Sequence, residues 1–133
     1  MKITADTNVL VRAVTEDHEH QSRTAQAALK KAELVAIPIS ALCELVWVLS
    51  QGYKIPLSEI AEAIRRFING ANAVVNRPAA EAGLAMLDAG GDFADGVIAY
   101  EGNWLGADVF VSFDKKAVKQ LKAQGQSAEL LSG

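Results

Sequence analysis

Four acidic residues stand in places where carboxylates could do chemistry. Asp6 ends the first apolar segment, and Asp114 directly follows another at residues 109–113. Glu44 and Asp95 lie within apolar stretches of their own. Negative charges gathered side by side raise one another's pKa, and a divalent cation removes that cost. Oxygen ligands alone favour Mg²⁺ or Mn²⁺ over zinc or copper, and such an ion can activate a bound water and neutralise a phosphate.

Three of these acids also have a plain structural explanation. Asp is a preferred helix N-cap, and both Asp6 and Asp114 precede predicted helices. Asp95 lies in a predicted first helical turn, where the helix dipole favours an acid. Glu44 differs, because its neighbours are apolar and no Lys or Arg lies within four residues of it. A buried lone carboxylate is costly, so we expect Glu44 to bind a cation, with an ion pair to a distant arginine as the open alternative.

Short apolar segments alternate with amphipathic segments along the chain. The apolar runs predict strands at residues 2–6, 34–37, 73–75, 109–113 and 128–131. The periodic segments predict helices at residues 8–14, 18–32, 40–51, 58–69, 78–88, 93–105 and 114–124. Ser58 is the predicted N-cap of its helix.

This alternation favours an α/β fold, a three-layer α/β/α sandwich around a short, mostly parallel sheet of four to five strands. Ligand sites in such sheets lie beyond the carboxyl ends of the strands. If the first and fourth strands are parallel neighbours, Asp6 and Asp114 are expected at the same edge of the sheet.

Length and composition limit the class of protein. The chain has 133 residues, half of them apolar, which predicts a single globular domain over residues 1–133. One cysteine excludes an internal disulfide framework and a cysteine-based zinc site. The N-terminus does not resemble a signal peptide, and no uncharged apolar stretch is long enough to cross a membrane. We therefore expect a soluble cytoplasmic protein with no membrane partner.

The charge balance argues against a passive nucleic-acid binder. The formal charge is −3, from 13 Lys and Arg against 16 Asp and Glu, and the excess of acids lies within residues 67–133. Phosphate binding normally needs a basic face. A role on nucleic acid would therefore require another source of positive charge, and a bound divalent cation would supply one.

Four segments, each with its acid in place, resemble the motifs of PIN-domain ribonucleases, specifically the VapC-type toxins of toxin–antitoxin pairs. The segments are residues 6–12 (DTNVLVR), 39–49 (ISALCELVWVL), 92–99 (DFADGVIA) and 111–117 (VSFDKKA). The resemblance implies a PIN-like fold and an endoribonuclease that cleaves RNA with Mg²⁺ or Mn²⁺. It also implies a homodimer and a cognate antitoxin whose C-terminal segment blocks the site.

The residues of the four motifs have distinct expected roles. Asp6 and Asp95 are expected to bind the principal metal ion directly or through water. Glu44 and Asp114 would complete the cluster through water or a second ion. Three neighbouring polar side chains are candidates to orient the carboxylates or bound water: Thr7, Asn8 and Ser112.

Other residues carry weaker signals. Three basic side chains are candidates for contact with the RNA: Arg12, Lys115 and Lys119. Asp92 is expected to cap the helix that contains Asp95, and Gly96, where the family usually has alanine, to loosen that helix start. Trp47 and Trp104 are expected in the core or at an interface rather than as platforms for base stacking.

Two other classes of protein remain open. A receiver-like phosphoacceptor switch is also a small α/β sandwich, but it needs an acceptor Asp after the third strand, where this chain has Asn76 and Arg77. A non-catalytic interaction module would use the same acids as helix caps and solubilising charge. A cation that binds only the folded state must stabilise it, so Mg²⁺ or Mn²⁺ separates this module from a metal enzyme.

Overall fold

The structure is a computed structural model that describes residues 1–132, and the chain divides into two compact units. The first unit is Met1–Arg77, and the second begins at Pro78. Short strands alternate with helices in both units, and every strand pairing among the described residues is parallel. The predicted alternation and the parallel pairing of the strands are confirmed.

The first unit contains a three-stranded parallel sheet in the order β1-β2-β3. Its elements are β1 (Lys2–Thr4), α1 (Thr7–Val14), α2 (Glu19–Lys31), β2 (Leu34–Ala36), α3 (Ile39–Trp47), a π-helical segment (Val48–Gly52), α4 (Leu57–Ile68) and β3 (Ala73–Val74). The central strand β2 pairs Ile3 with Val35, which is only 3% exposed. The backbone N–H of Ala5 donates to the Ala36 carbonyl over 2.9 Å, so the β1 pairing continues to the residue before Asp6.

The second unit contains a two-stranded parallel sheet, β4-β5. Its elements are α5 (Arg77–Asp88), α6 (Phe93–Trp104), β4 (Phe110–Ser112), α7 (Lys115–Ala123) and β5 (Ala128–Leu130). Phe110 and Ala128, which are register partners, pack against a buried cluster of Met86, Ala99 and Leu121. This packing fixes β4, and Asp114 follows it by two residues.

The start of α4 differs from the prediction. The predicted cap at Ser58 is wrong, because α4 begins at Leu57 after Pro56 and has no side-chain cap. Pro56 takes the N-cap position itself, and proline carries no side-chain acceptor that could cap the free backbone N–H groups. Among the described residues, the helices are too short or too polar to span a membrane.

Gly96 allows α6 to approach α5 closely, which corrects the expectation that it loosens the helix start. A Cβ at this position would overlap the carbonyl oxygen of Ala82 and lie 2.8 Å from Cγ of Met86. Gly83 on α5 has a matching role, since its Cβ would lie 2.6 Å from the ring of the fully buried Phe93. At each glycine the backbone of one helix lies directly against atoms of the other, with no side chain between them.

Gly96→Ala is therefore expected to lower the free energy of unfolding by about 1–3 kcal/mol, the usual cost of overpacking a core. Gly102→Ala on the same helix is the matched control, because its Cβ would meet no heavy atom within 4 Å. That control should be neutral or gain up to about 1 kcal/mol from helix propensity. Denaturant unfolding measures both, and equal effects of the two variants would contradict the packing account.

Candidate functional site

Asp6 caps α1 at the carboxyl end of β1. Its Oδ1 accepts a hydrogen bond from the backbone N–H of Thr7 over 2.8 Å, and the side chain is exposed. Asn8, two residues after Asp6 in the first turn of α1, is also exposed. Capping uses one carboxylate oxygen, and within residues 1–132 no hydrogen bond engages Oδ2 of Asp6. The cap therefore leaves an oxygen available to a cation.

Glu44 lies on the exposed face of α3, and the expectation that it is buried is wrong. The helix buries four other residues: Ala41, Leu42, Leu45 and Val46. Its exposed side carries Ser40, Glu44 and Trp47, which follow one another at helical spacing. Among the described residues, no basic side chain forms an ion pair with Glu44. The carboxylate is thus free in solvent rather than paired inside the core.

The second unit gathers three acids around the start of α6. Asp92 caps α6 by accepting from the backbone N–H of Ala94 over 3.1 Å, as predicted, and Asp95 follows in the first turn. Asp114 caps α7 by accepting from the backbone N–H of Ala117 over 3.1 Å. Partial burial raises the pKa of Asp95, and the negative charges of Asp92 and Asp114 raise it further.

The backbone and nearby polar groups hold these acids in place but do not neutralise them. Ser112 Oγ accepts from the backbone N–H of Asp114 over 3.0 Å, which fixes the start of α7. Lys116, two residues further on, donates instead to the Gly90 carbonyl over 2.8 Å. In the part of the chain that the structure describes, no Lys or Arg pairs with Asp92, Asp95 or Asp114.

The donor chemistry of these acids fits a hard divalent cation, since carboxylate oxygens without a basic partner are the ligands that Mg²⁺ and Mn²⁺ prefer. Burial and the two neighbouring acids raise the pKa of Asp95, and a nearby positive charge would offset both effects. Residues 1–132 hold no group of three or more Asp, Glu, His or Cys side chains arranged to bind a metal ion. Carboxylate ligands are thus available, but residues 1–132 do not gather three of them into one metal-binding group.

Arg12, a candidate for RNA contact, is held by groups of its own unit. Its Nε donates to Gln21 over 2.7 Å and its Nη1 to the Tyr53 hydroxyl over 3.1 Å. The same nitrogen lies 3.8 Å from a carboxylate oxygen of Asp17. Tyr53 in turn donates to Asp17 over 2.9 Å, and this hydrogen bond lowers the pKa of Asp17. The Arg12 guanidinium thus links α1 to the segment that follows it and to Tyr53. A contact of Arg12 with RNA stays a prediction.

The other candidate residues lie on exposed surface. Lys115 and Lys119 project from α7 into solvent. A core position for the tryptophans, one of the two expected, is wrong, because Trp47 is 67% exposed and Trp104 is 81% exposed. A position at an interface stays a prediction.

A groove of about 520 Å³ in the first unit was not foreseen from the sequence. Its walls include Val14, Leu29, Phe67 and Arg66, from α1, α2 and α4. Neither Asp6 nor Glu44, the two candidate acids of this unit, lines the groove. The cavity and the candidate chemistry of the first unit are therefore separate features.

Residues 3–122 match the PIN domain family. The match includes all four candidate acids and residues of both units. No curated protein shows significant sequence similarity to the chain. The chain therefore belongs to the PIN domain family, whose members are generally metal-dependent nucleases with a three-layer α/β/α fold. This confirms the predicted fold class and removes the receiver-like alternative.

Asp95→Asn is expected to stabilise the cation-free protein at neutral pH. The raised pKa of Asp95 means that the folded state disfavours its charge. The cost is absent at low pH and appears as the pH rises above the ordinary value of 3.8 towards the raised value of the folded state. The gain is small, about 0.5 kcal/mol, because solvent screens a partly exposed charge; it should be present at neutral pH in EDTA and vanish in acid.

The matched control is Asp108→Asn, which removes an exposed acid that does not contribute to the pKa of Asp95. Denaturant unfolding in EDTA, at neutral and at acid pH, measures both variants. A gain in the free energy of unfolding that is confined to Asp95→Asn would support an unfavourable environment for the Asp95 charge in the folded state. Equal gains in both variants, or a loss of stability in Asp95→Asn, would contradict it.

Proposed function

We propose that this PIN-domain protein is an Mg²⁺- or Mn²⁺-dependent endoribonuclease whose ion is held by Asp6, Glu44, Asp95 and Asp114. The observation that carries the proposal is the position of Asp95, a half-buried carboxylate with Asp92 and Asp114 as acidic neighbours and no basic partner among the described residues. Membership in a family of metal-dependent nucleases supports the same chemistry.

Asp6 and Asp95 bind the principal ion directly or through water, and Glu44 and Asp114 act through water or a second ion. A bound Mg²⁺ or Mn²⁺ supplies an activated water and neutralises the charge of the cleaved phosphate. The backbone bonds to Asp6 and Asp114 support these roles, since each holds one oxygen of a carboxylate still. Carboxylates fixed in this way lose little freedom when an ion binds.

The substrate is RNA, and the chain attracts it without a basic face. The net charge of −3 gives little general attraction for phosphate, so the ion contributes most of the local positive charge. Lys115 and Lys119, both exposed on α7 directly after Asp114, add attraction for the RNA backbone. Unpaired loops are the default target, because proteins read RNA sequence mainly in single strands.

The biological role we propose is that of a cytoplasmic VapC-type toxin. In this role the protein forms a homodimer, and a cognate antitoxin inserts a C-terminal segment into the site. The support is the order and completeness of the four motifs, which include every one of the expected acids. A small gene beside the one for this chain, encoding a DNA-binding protein with a basic tail, would support the assignment.

Asp6→Asn is expected to reduce RNA cleavage by about 100-fold or more, because it removes a charged ligand of the ion. Folding should be preserved, since asparagine caps helices as well as aspartate does. Cleavage is measured on total RNA with mapping of the new ends, together with growth after induced expression. Glu62→Gln, which removes an exposed acid of α4, is the control and should leave both intact.

Three results would contradict this assignment. The first is cleavage that persists in EDTA, and the second is cleavage that survives Asp6→Asn. The third is growth inhibition by the Asp6→Asn variant at wild-type strength. Circular dichroism of each variant separates a loss of activity from a loss of folding.

Addition of Mn²⁺ or Mg²⁺ is expected to stabilise the wild-type protein. An ion at 100 times its dissociation constant adds about 2.7 kcal/mol to the free energy of unfolding if it binds only the folded state. The gain should fall in Asp6→Asn and in Asp95→Asn, and it should remain in Asp108→Asn. Thermal unfolding against cation concentration measures it. No shift at millimolar Mn²⁺ would favour the non-catalytic interaction module.

A further inference from the structure

Trp47 is a large aromatic side chain that the fold leaves in solvent beside a candidate catalytic acid. It is the last residue of α3 and is 67% exposed. Glu44 precedes it by three residues, so the two side chains are neighbours on the helix surface, about 5–6 Å apart between Cβ atoms. The π-helical segment Val48–Gly52 follows directly, and such turns are frequent at functional sites.

The exposed face of α3 that carries Trp47 is polar. The exposed residues at helical spacing along α3 and the π-helical segment are Ser40, Glu44, Trp47 and Gln51. The core of a protein interface is apolar and poor in charge, whereas here one indole stands among hydroxyl, carboxylate and amide groups. A polar surface with one aromatic ring suits a partner that offers both hydrogen-bonding groups and a flat π-face.

The charge of the chain points to the same kind of partner. With a net charge of −3, the protein gains little affinity from phosphate contacts. Base stacking on an aromatic ring does not depend on net charge and tolerates any base, because every base has a π-face. Stacking is therefore a source of affinity that this acidic chain can use beside Glu44.

We infer that Trp47 stacks on an unpaired base of the RNA, next to the phosphodiester that is cleaved. The inference rests on the proposed function, because it places the substrate at Glu44. It also specifies the substrate further: the RNA is single-stranded at this position, since bases inside a duplex are not open to an indole. Trp47 thus selects unpaired RNA, while the carboxylates act on the phosphate.

The chain has two tryptophans, which allows each to be observed alone. Trp104→Phe leaves Trp47 as the only indole, and Trp47→Phe leaves Trp104, which is 81% exposed, as the matched control. Both variants are titrated in EDTA with a single-stranded RNA oligonucleotide and with the same sequence as a duplex. We expect saturable fluorescence quenching by the single strand in Trp104→Phe, and neither quenching in Trp47→Phe nor quenching by the duplex.

The kinetic test uses Trp47→Ala. Loss of one stacked base should raise KM for a single-stranded substrate about 5- to 100-fold, with kcat changed far less. Trp47→Phe should recover part of the loss, and Trp104→Ala should match the wild type. Because Trp47 is mostly exposed, its truncation should leave the far-ultraviolet circular dichroism unchanged.

The outcomes separate this inference from the proposed function. If the wild type cleaves RNA but Trp47 is not quenched and Trp47→Ala keeps its KM, the stacking role is wrong and the nuclease assignment stands. If no cation supports cleavage but the single strand still quenches Trp47 alone, the nuclease assignment fails and the stacking role stands. A change of oligomeric state in Trp47→Ala, seen by sedimentation, would place Trp47 at a protein interface and overturn the inference.

Discussion

Partial burial of the Asp95 carboxylate beside two other acids is the constraint on which the proposed metal chemistry depends. Asp92 and Asp114 each cap a helix, so backbone hydrogen bonds hold their charges near the half-buried Asp95. The same bonds begin α6 and α7. On the proposed function, Asp114 would serve both stability and chemistry, with one oxygen capping a helix and the other available to a cation.

The order of the elements and three of the helix caps could be predicted from the sequence because they depend on local chemistry, whereas the cap at Ser58 was predicted wrongly. Apolar runs and periodic segments marked the strands and helices, and the caps at Asp6, Asp92 and Asp114 follow from the affinity of a carboxylate for free backbone N–H groups. The candidate acids themselves could be named from four short motifs. How they are arranged around an ion depends on tertiary structure and ion binding, which no local pattern specifies.

The failures of prediction concern faces and close contacts, which depend on the whole fold. Counting apolar neighbours suggested that Glu44 is buried, but α3 turns Glu44 and Trp47 outward together while Leu42 and Leu45 fill the core. Gly96 resembled a weak point in a helix, and it is instead where α6 meets the backbone of α5. On the proposed function, a bound ion and the exposed Trp47 would take the place of the basic face that other RNA-binding proteins use.

The most direct test of the central claim is anomalous diffraction from crystals of the wild-type protein grown with Mn²⁺. We predict a Mn²⁺ ion bound by oxygen atoms of Asp6 and Asp95, with Glu44 and Asp114 reaching it through water or holding a second ion. Protein without bound Mn²⁺ at millimolar concentration, or with its only ion bound by other residues, would contradict the claim that these carboxylates are assembled to hold a divalent cation.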